Sequence, residues 1–180
     1  MSQPQEQRPF DLLQSIANRY VVQTDAVVND HQVQGEWRGI GFSLGERQFV
    51  APMAEVAEVL YLPPLTKVPG VKPWFRGLAN IRGRLLTVID LGQFLGLPSH
   101  INARESRVLV VQRGELYTGV LVDRISGMQV FDPAQQETSD MDGSLLDGYI
   151  EGVFVRGSQS WSIFSLFGLV ESSGFLQVAV

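Results

Sequence analysis

Apolar residues near the start of the chain recur every three to four positions over residues 9–22. Residues at this spacing lie on one face of an α-helix, and Pro9 is typical of a helix start. The apolar positions are Phe10, Leu13, Ile16 (or Ala17) and Tyr20. The residues that follow are polar and irregular, as in a linker. We therefore predict an N-terminal helix and a polar linker over residues 1–36, and the sequence leaves open whether the helix packs on its own domain or on a partner.

From residue 37 onward the hydrophobic pattern changes to the shorter periods of β-strands. Apolar segments flank Gly45-Glu46 and again Gly114-Glu115, which predicts two antiparallel strand pairs around turns. The two turns are 69 residues apart, and further positions align at that offset. The aligned pairs are Val56 with Ile125, Val59 with Met128 and Tyr61 with Val130. We interpret this as two related β-modules of about 60 to 70 residues, and the short segments separated by Gly and Pro favour small barrels over a parallel sheet.

The segment between the two modules carries the most specific local pattern. Arg82-Gly83 predicts a turn, and residues 85–89 predict a buried strand. Asp90 is placed to cap the short helix that follows. Near the end of the sequence, residues 160–164 predict a strand and residues 165–172 predict a short helix.

Charge is distributed unevenly along the chain. The formal net charge is −5, yet the stretch from Val59 to Ile89 contains five basic residues and no Asp or Glu. The basic residues are Lys67, Lys72, Arg76, Arg82 and Arg84. Segregated charge of this kind favours oriented docking on an acidic or polar protein partner. The alternative interpretation is that five solvated cations are scattered over ordinary loops.

Arg82 is the candidate contact residue in this basic stretch. Because it directly precedes Gly83, a tight turn leading into an apolar strand would display its guanidinium rigidly. The planar fork of an arginine suits carboxylate or carbonyl acceptors on a partner, and Lys would not replace it equivalently. An internal bridge from Arg82 to Asp90 or Asp123 is the alternative.

Glu58 is a second candidate contact residue. If its segment is extended, strand alternation places Val56 and Glu58 on one face. The carboxylate of Glu58 would then be exposed, either as a contact for a partner or as a merely solvated group.

The residues that catalytic and metal sites require are mostly missing. The chain has no Cys, which excludes disulfides, thiolate zinc sites and a cysteine nucleophile. Its two histidines, His31 and His100, lie outside any nucleophile or metal motif, and no GxxxxGK is present. Residues 140–143 copy a fragment of a calcium loop without its remaining ligands, and an exposed acidic turn is the simpler interpretation. We therefore expect no enzyme activity, no metal and no cofactor.

Composition also bears on the partners and the location of the protein. A net charge of −5 argues against nucleic acid as the main partner, because phosphate contacts need a basic face. The apolar runs are far shorter than the ~20 residues that cross a bilayer, and the polar N-terminus lacks the apolar region of a signal peptide. We expect a cytoplasmic protein that does not insert into the membrane.

The central segment GLANIRGRLLTVIDL, residues 77–91, resembles a signature of CheW-like adaptor domains in bacterial chemosensory arrays. That signature reads G-x-x-N-x-R-G-x-x-x-P-V-I-D-L, and Thr87 stands where it has Pro. Three other segments are similar to the family as well: FVAPMAEVAEVL at 49–60, GVLVDRISGM at 119–128 and SIFSLFGLV at 162–170. The resemblance covers about residues 37–173.

The resemblance implies an all-β fold of two small SH3-like five-stranded β-barrels with short helices, preceded here by the N-terminal helical extension. The CheW-like domain is expected at residues 37–178. Its first barrel would span about 37–95 and its second about 105–155, with a closing strand and helix at 160–173.

The resemblance also implies a non-catalytic adaptor that couples methyl-accepting receptors to the regulatory domain of a CheA-type histidine kinase. The N-terminal extension is similar to adaptors of type IV pilus (twitching motility) chemosensory systems, and a flagellar or other chemosensory pathway is the alternative. The protein would then lie in the cytoplasm at membrane receptor arrays, where rings of CheW-like domains could form. The sequence does not reveal which receptor or kinase is bound.

The family's contact residues transfer to five positions of this chain. Arg82 corresponds to the arginine of the receptor- and kinase-coupling surface, and Asn80 and Gly83 would shape its turn. Glu58 would lie near the receptor groove, and Val56 would line it. Kinase contacts are expected at barrel ends, where Leu62, Leu65 and Trp74 would either be exposed to a partner or pack in the core.

Overall fold

The computed structural model describes residues 35–139 and 145–179. Within these residues eleven strands form two sheets: β1 Trp37–Leu44, β2 Arg47–Pro52, β3 Glu58–Tyr61, β4 Phe75–Ile81, β5 Arg84–Asp90, β6 Arg107–Arg113, β7 Leu116–Val122, β8 Arg124–Phe131, β9 Gln136–Glu137, β10 Ile150–Arg156 and β11 Gln159–Phe164. The helices are α1 Leu91–Phe94, α2 Leu166–Glu171 and α3 Ser173–Leu176, with 3-10 turns at Met53–Glu55, Pro133–Gln135 and Leu145–Tyr149. The predicted N-terminal helix, nearly all of the linker and the acidic turn at 140–143 lie outside the described residues. In the part that is described, no helix has the length and apolar character to span a membrane.

The two sheets are not built from consecutive halves of the chain. One sheet has the order β8-β1-β2-β11-β10-β9 and the other has the order β3-β6-β7-β5-β4. The hairpin β1–β2 therefore pairs with strands from the C-terminal half, while β6–β7 pairs with strands from the N-terminal half. The expected barrel boundaries of 37–95 and 105–155 do not match these sheets, one of which has six strands. Strand β6 is apolar on both faces and contributes side chains to two buried clusters, one on each side of its sheet.

The internal repeat is visible in the strand order. Positions β8-β1-β2-β11-β10 of one sheet correspond to β3-β6-β7-β5-β4 of the other, and both sheets contain one parallel pair, β2 with β11 and β5 with β7. The turns at Gly45 and Gly114 close equivalent hairpins, with φ of 58° and 56°. The aligned residues Val59 and Met128 lie on β3 and β8, the corresponding strands at one edge of each sheet, and both are exposed.

The main core lies between the sheets and contains buried residues of both. Phe164 is fully buried there, with its ring edge-on to Phe42 and Phe49 at centroid distances of 6.1 Å. Trp74 is buried in the same cluster and stacks on Phe175 at 6.1 Å, so it is a core residue and not an exposed kinase contact. A smaller apolar cluster lies on the opposite face of each sheet. The sheets therefore share one core and should unfold together.

The five-stranded sheet curls until its two edges are linked by the backbone. Thr66, which follows β3, exchanges two backbone hydrogen bonds with Leu78 of β4, at 2.8 and 2.9 Å. Gly77 allows this close approach because it has a φ of 142° and no side chain. A Cβ atom at this position would lie 2.5 Å from the carbonyl oxygen of Thr66.

Replacing Gly77 with Ala is expected to lower the free energy of unfolding by about 3 kcal/mol, since it adds backbone strain and overpacks the Thr66 bridge. Chemical denaturation measures this change. Gly174→Ala is the matched control, because a methyl group on that helical glycine would have open space around it, and it should stay within about 1 kcal/mol. Equal stability of the two variants would contradict the proposed role of Gly77.

Candidate interaction site

The loop between β4 and β5 is the two-residue turn that the sequence predicts. Arg82 has a φ of 52° and Gly83 a φ of 81°, which is the pattern of a type I′ hairpin turn. The side-chain oxygen of Asn80 accepts a hydrogen bond from the backbone N–H of Gly83 at 2.9 Å and so braces the turn. Among the described residues, Arg82 is the only one other than glycine with a positive φ. Such a conformation costs about 1–2 kcal/mol, and backbone strain of this kind clusters at functional positions.

The side chain of Arg82 forms an ion pair with Glu58 at the start of β3. The Nη2–Oε1 distance is 2.6 Å, and the side chains are 78% and 28% exposed. The guanidinium therefore remains open to solvent although one of its nitrogen atoms is engaged. Neither alternative bridge, to Asp90 or to Asp123, forms. The two residues that the resemblance marks as contacts thus lie side by side, although they are 24 positions apart.

Asp90 and Asp123 have structural partners instead. Asp90 accepts hydrogen bonds from the backbone N–H of Gln93, which caps α1 as predicted, and from the hydroxyl of Ser99. Asp123 accepts hydrogen bonds from the backbone N–H groups of Gly45 and His100, at 2.7 and 3.1 Å. Both carboxylates are buried and connect loops to the core.

Val56 and Glu58 do not share a strand face, contrary to the conditional expectation. Strand β3 begins only at Glu58, which is paired with Val110 of β6 on the face of the sheet that points away from the shared core. Val56 lies outside the strand, after the 3-10 turn, and packs on the core between the sheets. The short turn redirects the chain before the strand starts, so the alternation does not extend back to Val56.

Two exposed apolar side chains lie on the strands that adjoin the Arg82 turn and Glu58, and sequence patterns alone do not single them out. Leu85 is 63% exposed and lies directly opposite Asn80 in the hairpin, so the strand predicted at 85–89 is buried only in part. Tyr61 lies three positions after Glu58 on β3 and so projects from the opposite face of the strand, where it is 73% exposed and packs against the guanidinium of Arg107. Their only sequence signal is an apolar residue at an outward position of an alternating strand. Exposed apolar side chains in the vicinity of charged ones are typical of protein interfaces.

A groove of about 490 Å³ lies along the segment that connects β3 to β4, and two of the five basic residues line it. Its lining residues are Leu62, Pro63, Leu65, Lys67, Val68, Pro73, Phe75 and Arg76. Lys67 is exposed, whereas Arg76 lies 3.8 Å from the buried carboxylate of Asp90. The groove thus combines apolar walls with positive charge, and it is separate from the Arg82 turn in its lining residues.

Glu55 forms a contact that the sequence does not reveal. Its carboxylate accepts hydrogen bonds from the backbone N–H groups of Leu166 and Phe167 at 2.6 and 3.1 Å, at the start of α2. The Ser165 hydroxyl is 3.4 Å from the same carboxylate and also caps α2 by accepting from the Gly168 N–H. Burial raises the pKa of Glu55, and the two backbone hydrogen bonds act in the opposite direction.

The described residues contain no group of three or more His, Cys, Asp or Glu side chains that could hold a metal ion. What the geometry does provide is a rigidly presented cation beside a carboxylate, the exposed Leu85 in the same hairpin and a basic groove. These features suit the recognition of another protein surface.

Comparison with known proteins agrees with this picture. The family model described as CheW-like domain matches residues 38–174. The chain is 42% identical to Protein PilI of Pseudomonas aeruginosa over 97% of this chain and 98% of that protein. It is 26% identical to Protein FrzA of Myxococcus xanthus, with 82% and 90% coverage. The crystal structure of the scaffolding protein TtCheW from Thermoanaerobacter tengcongensis superposes with a TM-score of 0.70 at 24% identity, covering 81% of this chain and 95% of that one. The expected all-β, CheW-like fold is therefore confirmed, in the form of a mostly β structure with two sheets and short helices.

Proposed function

This chain belongs to the CheW-like domain family, and on that premise we propose that it couples a methyl-accepting receptor to the regulatory domain of a CheA-type histidine kinase. Its general role is that of a chemosensory adaptor, which agrees with its likeness to PilI and FrzA. The adaptor works by binding and not by catalysis. It acts in the cytoplasm, at receptor arrays.

The single observation that carries the proposal is the exposed Arg82–Glu58 pair on a braced turn. A receptor tip is a helical hairpin, which presents an apolar stripe with polar groups beside it. The apolar stripe would contact Leu85, and Arg82 would bind a polar group of the receptor. Anchor residues of this type contribute a large share of the affinity of an interface.

The kinase regulatory domain would bind the groove that contains Lys67. Its half-buried walls, Leu62 and Leu65, offer an apolar surface for a partner strand or loop, and its positive charge selects an acidic neighbour. The receptor and the kinase would therefore use different residues, which permits both to bind at once. Individually modest contacts gain strength in an array because several are made together.

A reconstitution experiment tests the proposal directly. The full chain is mixed with a soluble receptor tip and with the kinase regulatory domain, and complexes are separated by size-exclusion chromatography. We expect both binary complexes and a ternary complex. Failure of the folded protein to bind either partner would overturn the proposal.

Lys67→Glu is expected to weaken binding of the kinase regulatory domain about fivefold to tenfold, since it places a negative charge in the groove. Calorimetric titration measures the affinity. Arg104→Glu makes the same charge change outside the basic stretch and should leave kinase binding unaltered. Binding of the receptor tip should be the same for both variants, and equal kinase affinities would argue against the groove.

The pathway is proposed to be the control of type IV pilus twitching motility. The match to PilI over 97% of the chain supports this choice, because it includes most of the N-terminal extension. Loss of twitching with normal swimming in a deletion strain is the expected phenotype. The reverse pattern would favour the flagellar alternative.

A further inference from the structure

The segment from Met53 to Ala57 carries the chain from one sheet to the other. It follows β2 of the six-stranded sheet and leads into β3 of the five-stranded sheet, where Glu58 meets Arg82. None of the residues in its 3-10 turn is buried. Its backbone is held by a bond from the Val56 N–H to the Met53 carbonyl at 3.3 Å and by one from the Ala57 N–H to the Val110 carbonyl at 2.8 Å.

Glu55 provides the side-chain anchor of this segment. Both carboxylate oxygens point at the start of α2, where one accepts the N–H groups of Leu166 and Phe167 and the other lies near the Ser165 hydroxyl. The first N–H groups of a helix have no partner within the helix, and a carboxylate there also interacts favourably with the helix dipole. The anchor therefore joins the crossover segment to an element that lies 111 residues further along the chain.

Helix α2 is in turn fixed on the rest of the molecule. Leu166, Leu169 and Val170 are fully buried in the core between the sheets. On its outer side, Arg113 of β6 forms an ion pair with Glu171 at 2.8 Å. The start of α2 is thus held in place by the core, and the hydrogen bonds to Glu55 restrict the position of the residues that precede β3.

We propose that Glu55 is a positioning residue for the interaction site: by binding the first N–H groups of α2, it sets the place at which Glu58 meets Arg82. This inference rests on the proposed function, in which the Arg82–Glu58 pair contacts the receptor. Glu55 itself lies outside that pair and acts on it through the three-residue backbone path to Glu58.

Two substitutions distinguish the hydrogen bonds that Glu55 accepts from the negative charge that it carries. Glu55→Ala removes the acceptors and leaves the N–H groups of Leu166 and Phe167 without a side-chain partner. Glu55→Gln keeps a carbonyl oxygen for these N–H groups and offers a donor to the Ser165 hydroxyl. We expect Glu55→Ala to weaken binding of the receptor tip about fivefold to tenfold, and Glu55→Gln to restore the wild-type affinity to within about twofold.

A double-mutant cycle with Glu58→Ala tests whether Glu55 acts through Glu58. In the Glu58→Ala background, adding Glu55→Ala should cost less than about twofold in affinity. Full additivity of the two effects would overturn the inference, because it would show that Glu55 acts by another route. So would a Glu55→Gln variant that binds as poorly as Glu55→Ala.

Amide hydrogen exchange of the protein without partners gives a second readout. In Glu55→Ala, exchange at the Ala57 N–H should increase more than at amides of the core strand β7, whereas Glu55→Gln should match the wild type. Equal increases at Ala57 and in β7 would indicate a loss of overall stability and overturn the positioning role. If the wild-type protein binds no receptor tip, the proposed function fails, and the exchange comparison still decides whether Glu55 positions the segment.

Discussion

Arg82→Glu is expected to weaken binding of the receptor tip about 30-fold or more while the protein stays folded. In the wild type, Arg82 Nη2 lies 2.6 Å from Glu58 Oε1. The substitution replaces the exposed guanidinium with a second carboxylate next to Glu58. Attraction thereby becomes repulsion, and a partner loses both a planar donor and a complementary charge. Calorimetric titration measures the affinity, and circular dichroism checks the fold.

The neighbouring Arg84 supplies the matched control. It lies in the same hairpin, but its guanidinium packs on the ring of Tyr117 at 3.9 Å and donates to the side chain of Gln112. Arg84→Glu makes the same charge change two residues away. It should alter the affinity for the receptor tip less than about threefold, which is the effect expected of a charge at the rim of an interface. Arg82→Lys keeps the positive charge but loses the planar guanidinium, and we expect its affinity for the receptor tip to lie between those of the wild type and Arg82→Glu. A folded Arg82→Glu protein with wild-type affinity would show that this turn is not the contact surface.

Phe164→Ala is expected to lower the free energy of unfolding by about 3–5 kcal/mol, the typical cost of removing a buried aromatic ring. Phe164 is fully buried between the sheets and contacts the rings of Phe42 and Phe49. Because domains of this size are stable by only about 5–15 kcal/mol, the melting temperature should fall by about 10 °C or more. Calorimetry and guanidinium denaturation measure the two quantities.

The form of the transition is informative as well. The core that contains Phe164 receives side chains from both sheets, so we expect one cooperative transition in the wild type and in the variant. Phe164→Leu, which leaves a smaller cavity, should cost clearly less than Phe164→Ala. Two separate transitions would show that the sheets are independent units and would contradict the shared core.

Local features of the candidate site follow from short sequence patterns. The Arg82-Gly83 turn and the cap that Asp90 provides for α1 involve residues within three positions of each other. Chain neighbours meet in any compact fold, so their chemistry suffices to predict the contact. The same reasoning fails for Trp74, whose position in a loop gave no sign that Phe175 would stack on it from the end of the chain.

Periodicity and neighbouring residues were enough to predict strands β1, β2, β5, β6, β7 and β11, the two equivalent hairpin turns, the basic stretch and the CheW-like signature. The folded chain was needed to show that hairpin β1–β2 pairs with strands of the C-terminal half and β6–β7 with strands of the N-terminal half. It was also needed to show that Arg82 binds Glu58 and that Glu55 binds the start of α2. The physical reason is that the two side-chain contacts join residues separated by 24 and 111 positions, and which apolar faces cover each other is settled by the packing of the whole core. Alternation along a strand shows that a face is apolar, but it does not show what that face will meet.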